Sequence, residues 1–193
     1  MGRPREFDRD EALLTALHVF WAQGYEATTM TDLQKALGIG RQSLYATFGD
    51  KGDVFIEALS LYIASSEERI ASRFRQGGGA DAIRSHFEEA IERVTLPTPR
   101  LGCLLVNTAI ELGPRSGPAG RLVTASLDVL AKGFERALHE ASSAGHLRDH
   151  VCPAEAAASL IALNTGLLVM ARNGASADAL RQAVASSLAG LFC

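Results

Sequence analysis

The residues best suited to contact another molecule are clustered in one short segment, between Gly38 and Lys51. Arg41 and Gln42 stand side by side here, and both side chain types can make paired hydrogen bonds to the edges of purine bases. Ser43 follows them and can bond to several bases. The segment therefore has the chemistry to read base edges, provided that its fold turns these side chains outward.

The surrounding residues predict a helix-turn-helix unit, in which a tight glycine-containing turn joins two short helices. The first helix begins at Thr29, which forms a Thr-x-x-Asp capping box with Asp32, and ends at Gly38. The second spans Arg41 to Phe48, with Leu44 packed inward. In such units the first residues of the second helix contact bases in the major groove. The predicted base-reading residues are Arg41, Gln42, Ser43 and Thr47.

Other residues near this unit are suited to phosphate oxygens. Amides at a helix N-terminus favour a phosphate, as does the positive end of the helix dipole, and hydroxyl and ammonium groups can donate to one. The predicted phosphate contacts are Thr29, Thr31, Tyr45 and Lys51, with Arg3 and Arg5 in an N-terminal arm along the duplex. Charge alone does not favour this interpretation, because residues 1–51 hold six Lys or Arg against seven Asp or Glu. A plain three-helix corner with solvated polar faces is the alternative.

A longer pattern runs through this region. The stretch GYEATTMTDLQKALGIGRQSLYATFGDK, residues 24–51, closely resembles the DNA-binding signature of the TetR family of transcriptional regulators. The residues that match in register are Gly24, Tyr25, Thr28, Thr29, Leu33, Gly38, Ile39, Leu44, Tyr45, Phe48 and Lys51. This chain departs from the family at Gly40, where members often carry a capping Ser, and at Ala46 and Thr47, which are smaller than usual.

The resemblance implies a homodimeric, cytoplasmic repressor that a small-molecule effector releases from a palindromic double-stranded DNA operator. It divides the chain into a helix-turn-helix DNA-binding domain, residues 1–50, and a helical effector-binding and dimerisation domain, residues 51–193. The family's last two helices form a four-helix dimer interface. Here the segment 153–173 is apolar nearly all round, so it needs cover on both sides, although a single buried helix in a monomer would also provide it. Its apolar stretch is expected to be too short to cross a membrane.

The periodicity of apolar residues independently predicts an all-α chain, because no segment alternates apolar and polar residues as a strand would. A first helix is capped by Asp8 and ends at Gly24. Asp50 caps a long helix that ends near Gln76. Further helices are predicted near residues 80–94, 102–113, 118–144, 153–173 and 177–192.

The resemblance also implies an effector pocket among the middle helices. The predicted effector-binding residues are Tyr62, Phe87, Cys103, Asn107 and Phe134, although residues at this spacing are often plain core. Cys103 opens a segment, RLGCLLVNTAIELG, whose Gly-Cys-Leu start resembles a subgroup in which some members use this cysteine to sense oxidants or electrophiles. A thiol near a helix N-terminus can react as the thiolate, whereas a buried free cysteine is usually a small hydrophobe. A thiol-based repressor is therefore the second hypothesis.

Other classes of function receive little support. The chain has no Gly-x-Ser-x-Gly elbow, phosphate-binding loop, dinucleotide fingerprint or His-Glu-x-x-His motif, so the sequence predicts no enzyme and no cofactor. A carrier or enzyme with a vestigial helix-turn-helix is the third hypothesis. His146, His150 and Cys152 could hold a metal ion, but no second cluster supports this, so none is predicted. The net charge of −3 means that any nucleic acid must bind a local patch.

Overall fold

The computed structural model describes residues 7–76, 78–96, 101–113 and 117–193, and this part of the chain contains nine helices. They are α1 (Arg9–Gln23), α2 (Met30–Leu37), α3 (Arg41–Phe48), α4 (Lys51–Gln76), α5 (Gly79–Val94), α6 (Leu104–Leu112), α7 (Pro118–Ser143), α8 (Pro153–Arg172) and α9 (Ala177–Leu188). The predicted all-α class is confirmed. Arg3 and Arg5 lie outside the described residues.

Helix starts in the N-terminal region are fixed by acidic side chains. The Asp8 carboxylate accepts hydrogen bonds from the amides of Asp10 and Glu11, at 2.9 and 3.1 Å. Thr29 and Asp32 form the complete capping box, and these bonds to Thr29 hold the pKa of the Asp32 carboxyl below its ordinary value. The amide of Asp53 donates to the Asp50 carboxylate at 3.0 Å at the start of α4. The predicted caps are therefore present.

Two hydrophobic clusters organise the chain. The first contains α1 to α3, with Phe20, Leu33 and Leu44 fully buried. It continues past residue 50 into α4 as far as Ile63 and takes in Leu104 at the start of α6. The second cluster is built from α5, α7, α8 and α9 with the end of α4. Because the first cluster crosses residue 50, the predicted domain boundary stays a prediction.

The last helix ends earlier than the predicted 177–192, at Leu188. The chain beyond it folds back on the loop before α8, where the Arg148 amide donates to the Leu191 carbonyl at 3.0 Å. The Cys193 amide likewise donates to the His146 carbonyl at 2.9 Å. These long-range bonds replace the bonds of a further helical turn.

α8 is long and apolar enough to cross a membrane on length and composition alone, at 20 residues. The expectation that its apolar stretch is too short for this was therefore wrong. The helix packs against α5, α7 and α9, and Leu160, Leu167 and Leu168 are buried in the second cluster. These contacts are typical of a core helix, which passes the same test.

Candidate DNA-binding surface and sensor cavity

One face of α3 packs against the core, and the opposite face is exposed to solvent. Leu44 is fully buried and Phe48 is 3% exposed, so the face that carries this (i, i+4) pair is turned to the core. Arg41, Gln42 and Ser43 are exposed on the first turn. This is the arrangement that base contact in a groove requires. Tyr45 is also exposed, and Thr47 is half-buried.

The predicted phosphate-contacting residues differ in whether their side chains already form hydrogen bonds within the protein. Thr29 and Thr31 are exposed, but the Thr29 hydroxyl already donates to Asp32 at 2.6 Å. The Lys51 ammonium donates to the Tyr25 carbonyl at 3.1 Å and lies 4.3 Å from the centre of the Tyr25 ring. An ammonium has three donors, so Lys51 can hold the backbone at Tyr25 and still reach a phosphate.

A carboxylate of α6 holds the α1–α2 turn, residues 24–29. Glu111 accepts hydrogen bonds from the backbone amides of Tyr25 and Glu26, at 3.0 and 2.7 Å. Gly24 allows this approach, because its φ is +87° and a Cβ there would lie 2.9 Å from the carboxylate oxygens. The sequence shows that Glu111 is a carboxylate on an otherwise apolar helix, but it does not indicate that the carboxylate bonds to the Glu26 amide, 85 residues away.

A second feature is a small cavity lined by residues of α4, α5, α6, α7 and α8, with a volume of about 60 Å³. We call it the sensor cavity. Its polar lining residues are Tyr62, Ser66, Arg69, Arg73, His86, Arg93, Cys103, Ser126 and Asn164. Two of the predicted effector-binding residues meet here, since the Tyr62 hydroxyl donates to the Cys103 sulfur at 3.3 Å. Burial, and then the neighbouring Cys103, raise the pKa of Tyr62, which keeps its hydroxyl a donor.

The other three predicted effector-binding residues lie elsewhere. Phe87 and Phe134 are fully buried, with ring centres 5.8 Å apart, and stand outside the lining of the sensor cavity. Asn107 donates to the Leu101 carbonyl at 2.9 Å and faces a separate depression of about 240 Å³ beside Glu111. Their effector role stays a prediction.

A buried polar network forms one wall of the sensor cavity. Arg73 donates to His86 Nδ1 at 3.0 Å. Because an arginine can only donate, Nδ1 is an acceptor, and His86 Nε2 donates to the Asn164 side-chain oxygen at 3.1 Å. Burial lowers the pKa of His86 to about 4. His86 is therefore neutral, and the wall gains no charge from it.

The part of the chain that the structure describes contains no cluster of side chains suited to bind a metal ion. No group of three or more His, Cys, Asp or Glu side chains lies close enough together there to hold an ion. Cys152 and Cys193 are exposed free thiols.

This combination of a helix-turn-helix unit and a helical C-terminal region matches known protein families. Residues 12–58 match the family of bacterial regulatory proteins called the tetR family, and residues 79–187 match the tetracyclin repressor-like C-terminal domain. The second match alone covers more than half of the chain. The chain belongs to the TetR family of transcriptional regulators. It is thus a DNA-binding regulator. Its helix-turn-helix domain contains α3, on which Arg41 and Gln42 are exposed.

Individual relatives agree with this assignment. The chain is 35% identical over 148 residues, 76% of either chain, to YezE, an uncharacterized HTH-type transcriptional regulator of Bacillus subtilis (strain 168). It is 29% identical to the HTH-type transcriptional repressor ComR of Escherichia coli (strain K12), covering 97% of this chain and 90% of ComR. A cysteine-substituted TetR family regulator, CifR, has been solved with 26-base-pair operator DNA; it is 29% identical, with a TM-score of 0.86 and coverage of 98% of this chain and 100% of CifR.

Proposed function

We propose that this TetR family protein is a homodimeric repressor that binds a two-fold operator through α3 and leaves it when a small molecule occupies the sensor cavity. The observation that carries the DNA-binding part is the exposed Arg41-Gln42-Ser43 turn on a helix fixed by buried Leu44 and Phe48. The repressor name of ComR and the operator complex of CifR support it.

Two helices connect the cavity with the DNA-binding unit. α4 begins beside the α1–α2 turn at Lys51 and lines the cavity further along, at Arg69 and Arg73. α6 follows Cys103, which also lines the cavity, and ends near Glu111, which holds the α1–α2 turn. A ligand that displaces either helix would therefore move α3.

In a dimer this movement changes the separation of the two α3 helices. Half-sites on a two-fold operator lie about 34 Å apart, one turn of DNA, so both copies of α3 fit only at one spacing. The ligand must bind more tightly to the dimer shape that does not fit, because only such a difference shifts the equilibrium.

The proposed dimer face is the outer side of α8 and α9. Exposed residues recur at every fourth position along one side of α8, at Ala154, Ala158, Ala162, Gly166 and Met170. Four of the five side chains are small, which lets a second helix approach closely along an i±4 ridge. The proposed dimer contact therefore lies on the side of α8 that faces away from the second cluster.

The decisive experiment is a gel shift with the DNA upstream of the protein's own gene. We expect one retarded complex, which sedimentation shows to contain two protomers per operator. Its affinity should fall steeply with salt, because neutralised phosphates release counterions. Equal affinity for this DNA and for random DNA would contradict the proposal, as would one protomer per site.

Substitutions on α3 and at its flanks separate base reading from phosphate binding. Tyr45→Phe and Lys51→Ala should each weaken binding to every sequence, because phosphate contacts are independent of sequence. Gln42→Ala should instead cost about 1–3 kcal/mol at one base pair and relax the preference there. Binding selections on randomised operators measure both, with Lys132→Ala on α7 as the charge-matched control. Uniform loss in all three variants would contradict the assigned roles.

A second candidate function is a thiol-based repressor, favoured by the contact between Tyr62 and Cys103 inside the cavity. In this case covalent modification of Cys103 would displace the start of α6. Cys103→Ser should bind operator normally but no longer release it on treatment with an oxidant or electrophile, as followed by gel shift. Cys152→Ser and Cys193→Ser are matched controls that should release as wild type does. Normal release by Cys103→Ser would exclude the thiol mechanism.

A further inference from the structure

Three guanidinium groups meet at the sensor cavity without a matching set of acids. Arg69 and Arg73 lie one turn apart on α4, and Arg93 comes from α5. Among the residues that the structure describes, none that lines the cavity is Asp or Glu. Arg93 forms no ion pair with any residue of the described ranges, and the hydrogen bonds of Arg69 go to the hydroxyls of Ser65 and Ser66. Among the described residues, Glu89 is therefore the one acid that pairs with these three arginines, through Arg73.

Arg73 is the most deeply buried of the three arginines. Its side chain is 6% exposed, and Nε is buried without a hydrogen-bond partner among the described residues. Its other nitrogens bond to neutral His86 and to Glu89, which is itself half exposed. A buried donor without an acceptor is costly, and a bound anion would supply the acceptor.

The three arginines also act on one another. Burial, and then the nearby charges of Arg93 and Arg69, lower the pKa of Arg73 to about 10. The pKa of Arg69 is lowered by burial and then by Arg93. Both guanidinium groups remain protonated at neutral pH, so like charges are held together. An anion between them would relieve this repulsion.

Part of the remaining lining is apolar. Leu105, Leu130 and Leu168 contribute to it, and a wholly polar anion such as inorganic phosphate would leave these side chains against charged oxygens. A carboxylate attached to a short apolar group would match both the arginines and the leucines. Arginine binds carboxylates through paired, charge-assisted hydrogen bonds, and the apolar group would contact the leucines. The volume of about 60 Å³ limits the body to a few atoms unless the helices move apart.

We propose that the effector is a small organic carboxylate, with its carboxylate between Arg69, Arg73 and Arg93 and its apolar part against the leucines. This inference rests on the proposed function, since it names the class of effector. It also assigns a role to three arginines that the sequence pattern did not single out.

Calorimetry on the full-length protein tests the inference. The probes are acetate, butyrate, hexanoate and benzoate, each with the alcohol and the amine of the same skeleton, and inorganic phosphate. We expect at least one carboxylate to bind about tenfold or more tightly than its alcohol, as one charge-assisted interaction implies, and the amine not to bind. Equal binding of acid and alcohol, tighter binding of phosphate, or no binding of any carboxylate would overturn the inference.

Variants show whether the bound carboxylate uses these arginines. Arg93→Gln, at an exposed position, should fold normally by thermal melting and weaken carboxylate binding about tenfold or more. Arg75→Gln is the charge-matched control, because Arg75 lies on α4 two residues beyond Arg73 but pairs with Glu68 at the surface. Equal affinity in wild type and Arg93→Gln would overturn the assigned site. Carboxylate binding without any change in operator affinity would instead contradict the proposed function and leave the ligand class standing.

Discussion

Replacing Phe134 with alanine is expected to lower the free energy of unfolding by about 3–5 kcal/mol, the usual cost of emptying a buried aromatic site. Phe134 is fully buried. Its ring lies 5.0 Å from that of His86 and 5.8 Å from those of Phe74 and Phe87, measured between centres. The loss combines the transfer free energy of the ring with the cost of a cavity that the surrounding helices close only in part.

Urea unfolding followed by circular dichroism measures this effect. Val129→Ala is the matched control, because Val129 lies on the same helix and is 45% exposed, so its cost should stay within about 0.5 kcal/mol. All variants are compared at one protein concentration, since a dimer's stability depends on it. A Phe134→Ala protein within about 1 kcal/mol of wild type would contradict core packing. Loss of carboxylate binding without loss of stability would favour the effector role predicted from the sequence.

Replacing Glu111 with alanine is expected to free the α1–α2 turn from α6. The carboxylate accepts from two backbone amides, of Tyr25 and Glu26, and hydrogen bonds to charged groups contribute about 1.5–3 kcal/mol each. Hydrogen exchange at these two amides should therefore accelerate about tenfold or more. In the proposed mechanism the variant should also lose much of the change in operator affinity that a cavity ligand produces in wild type.

Exchange measured by NMR, together with gel shifts with and without butyrate or the tightest carboxylate, tests both parts. Glu111→Gln keeps one oxygen acceptor and should fall between wild type and alanine. Glu155→Ala, an exposed acid in the first turn of α8, controls for the loss of charge. Unchanged exchange at Tyr25 and Glu26 would show that Glu111 does not hold the turn. Faster exchange with unchanged release would show that α4 alone carries the signal.

The parts of the fold that depend on local signals could be predicted from the sequence. Capping residues and turn glycines act within a few positions, so α3 and α4 were placed with the bounds observed, Arg41–Phe48 and Lys51–Gln76. The end of α9 could not be placed in this way. It depends on pairing between the chain near Leu191 and the loop at Arg148, which no local pattern reports.

The sensor cavity was only partly predictable for a related reason. A residue that lines a cavity and a residue that fills the core occupy the same helical face, so Tyr62 and Phe134 carry the same periodic signal although only Tyr62 lines the cavity. The cationic character of the cavity could not be predicted, because it arises from arginines on two different helices. Arg69 and Arg73 are one turn apart on α4, and this spacing was a usable signal, but Arg93 joins them only through the packing of α5.

The capping carboxylates show why formal charge is a poor filter for finding DNA-binding proteins. Asp8, Asp32 and Asp50 account for much of the negative count near the N-terminus, yet each is bonded to backbone amides at the positive end of a helix. The positive end of the helix dipole partly offsets an acid in that position, although the acid counts in full toward the formal charge. Genome searches that select regulators by a net positive charge would therefore pass over this chain, whose net charge is −3.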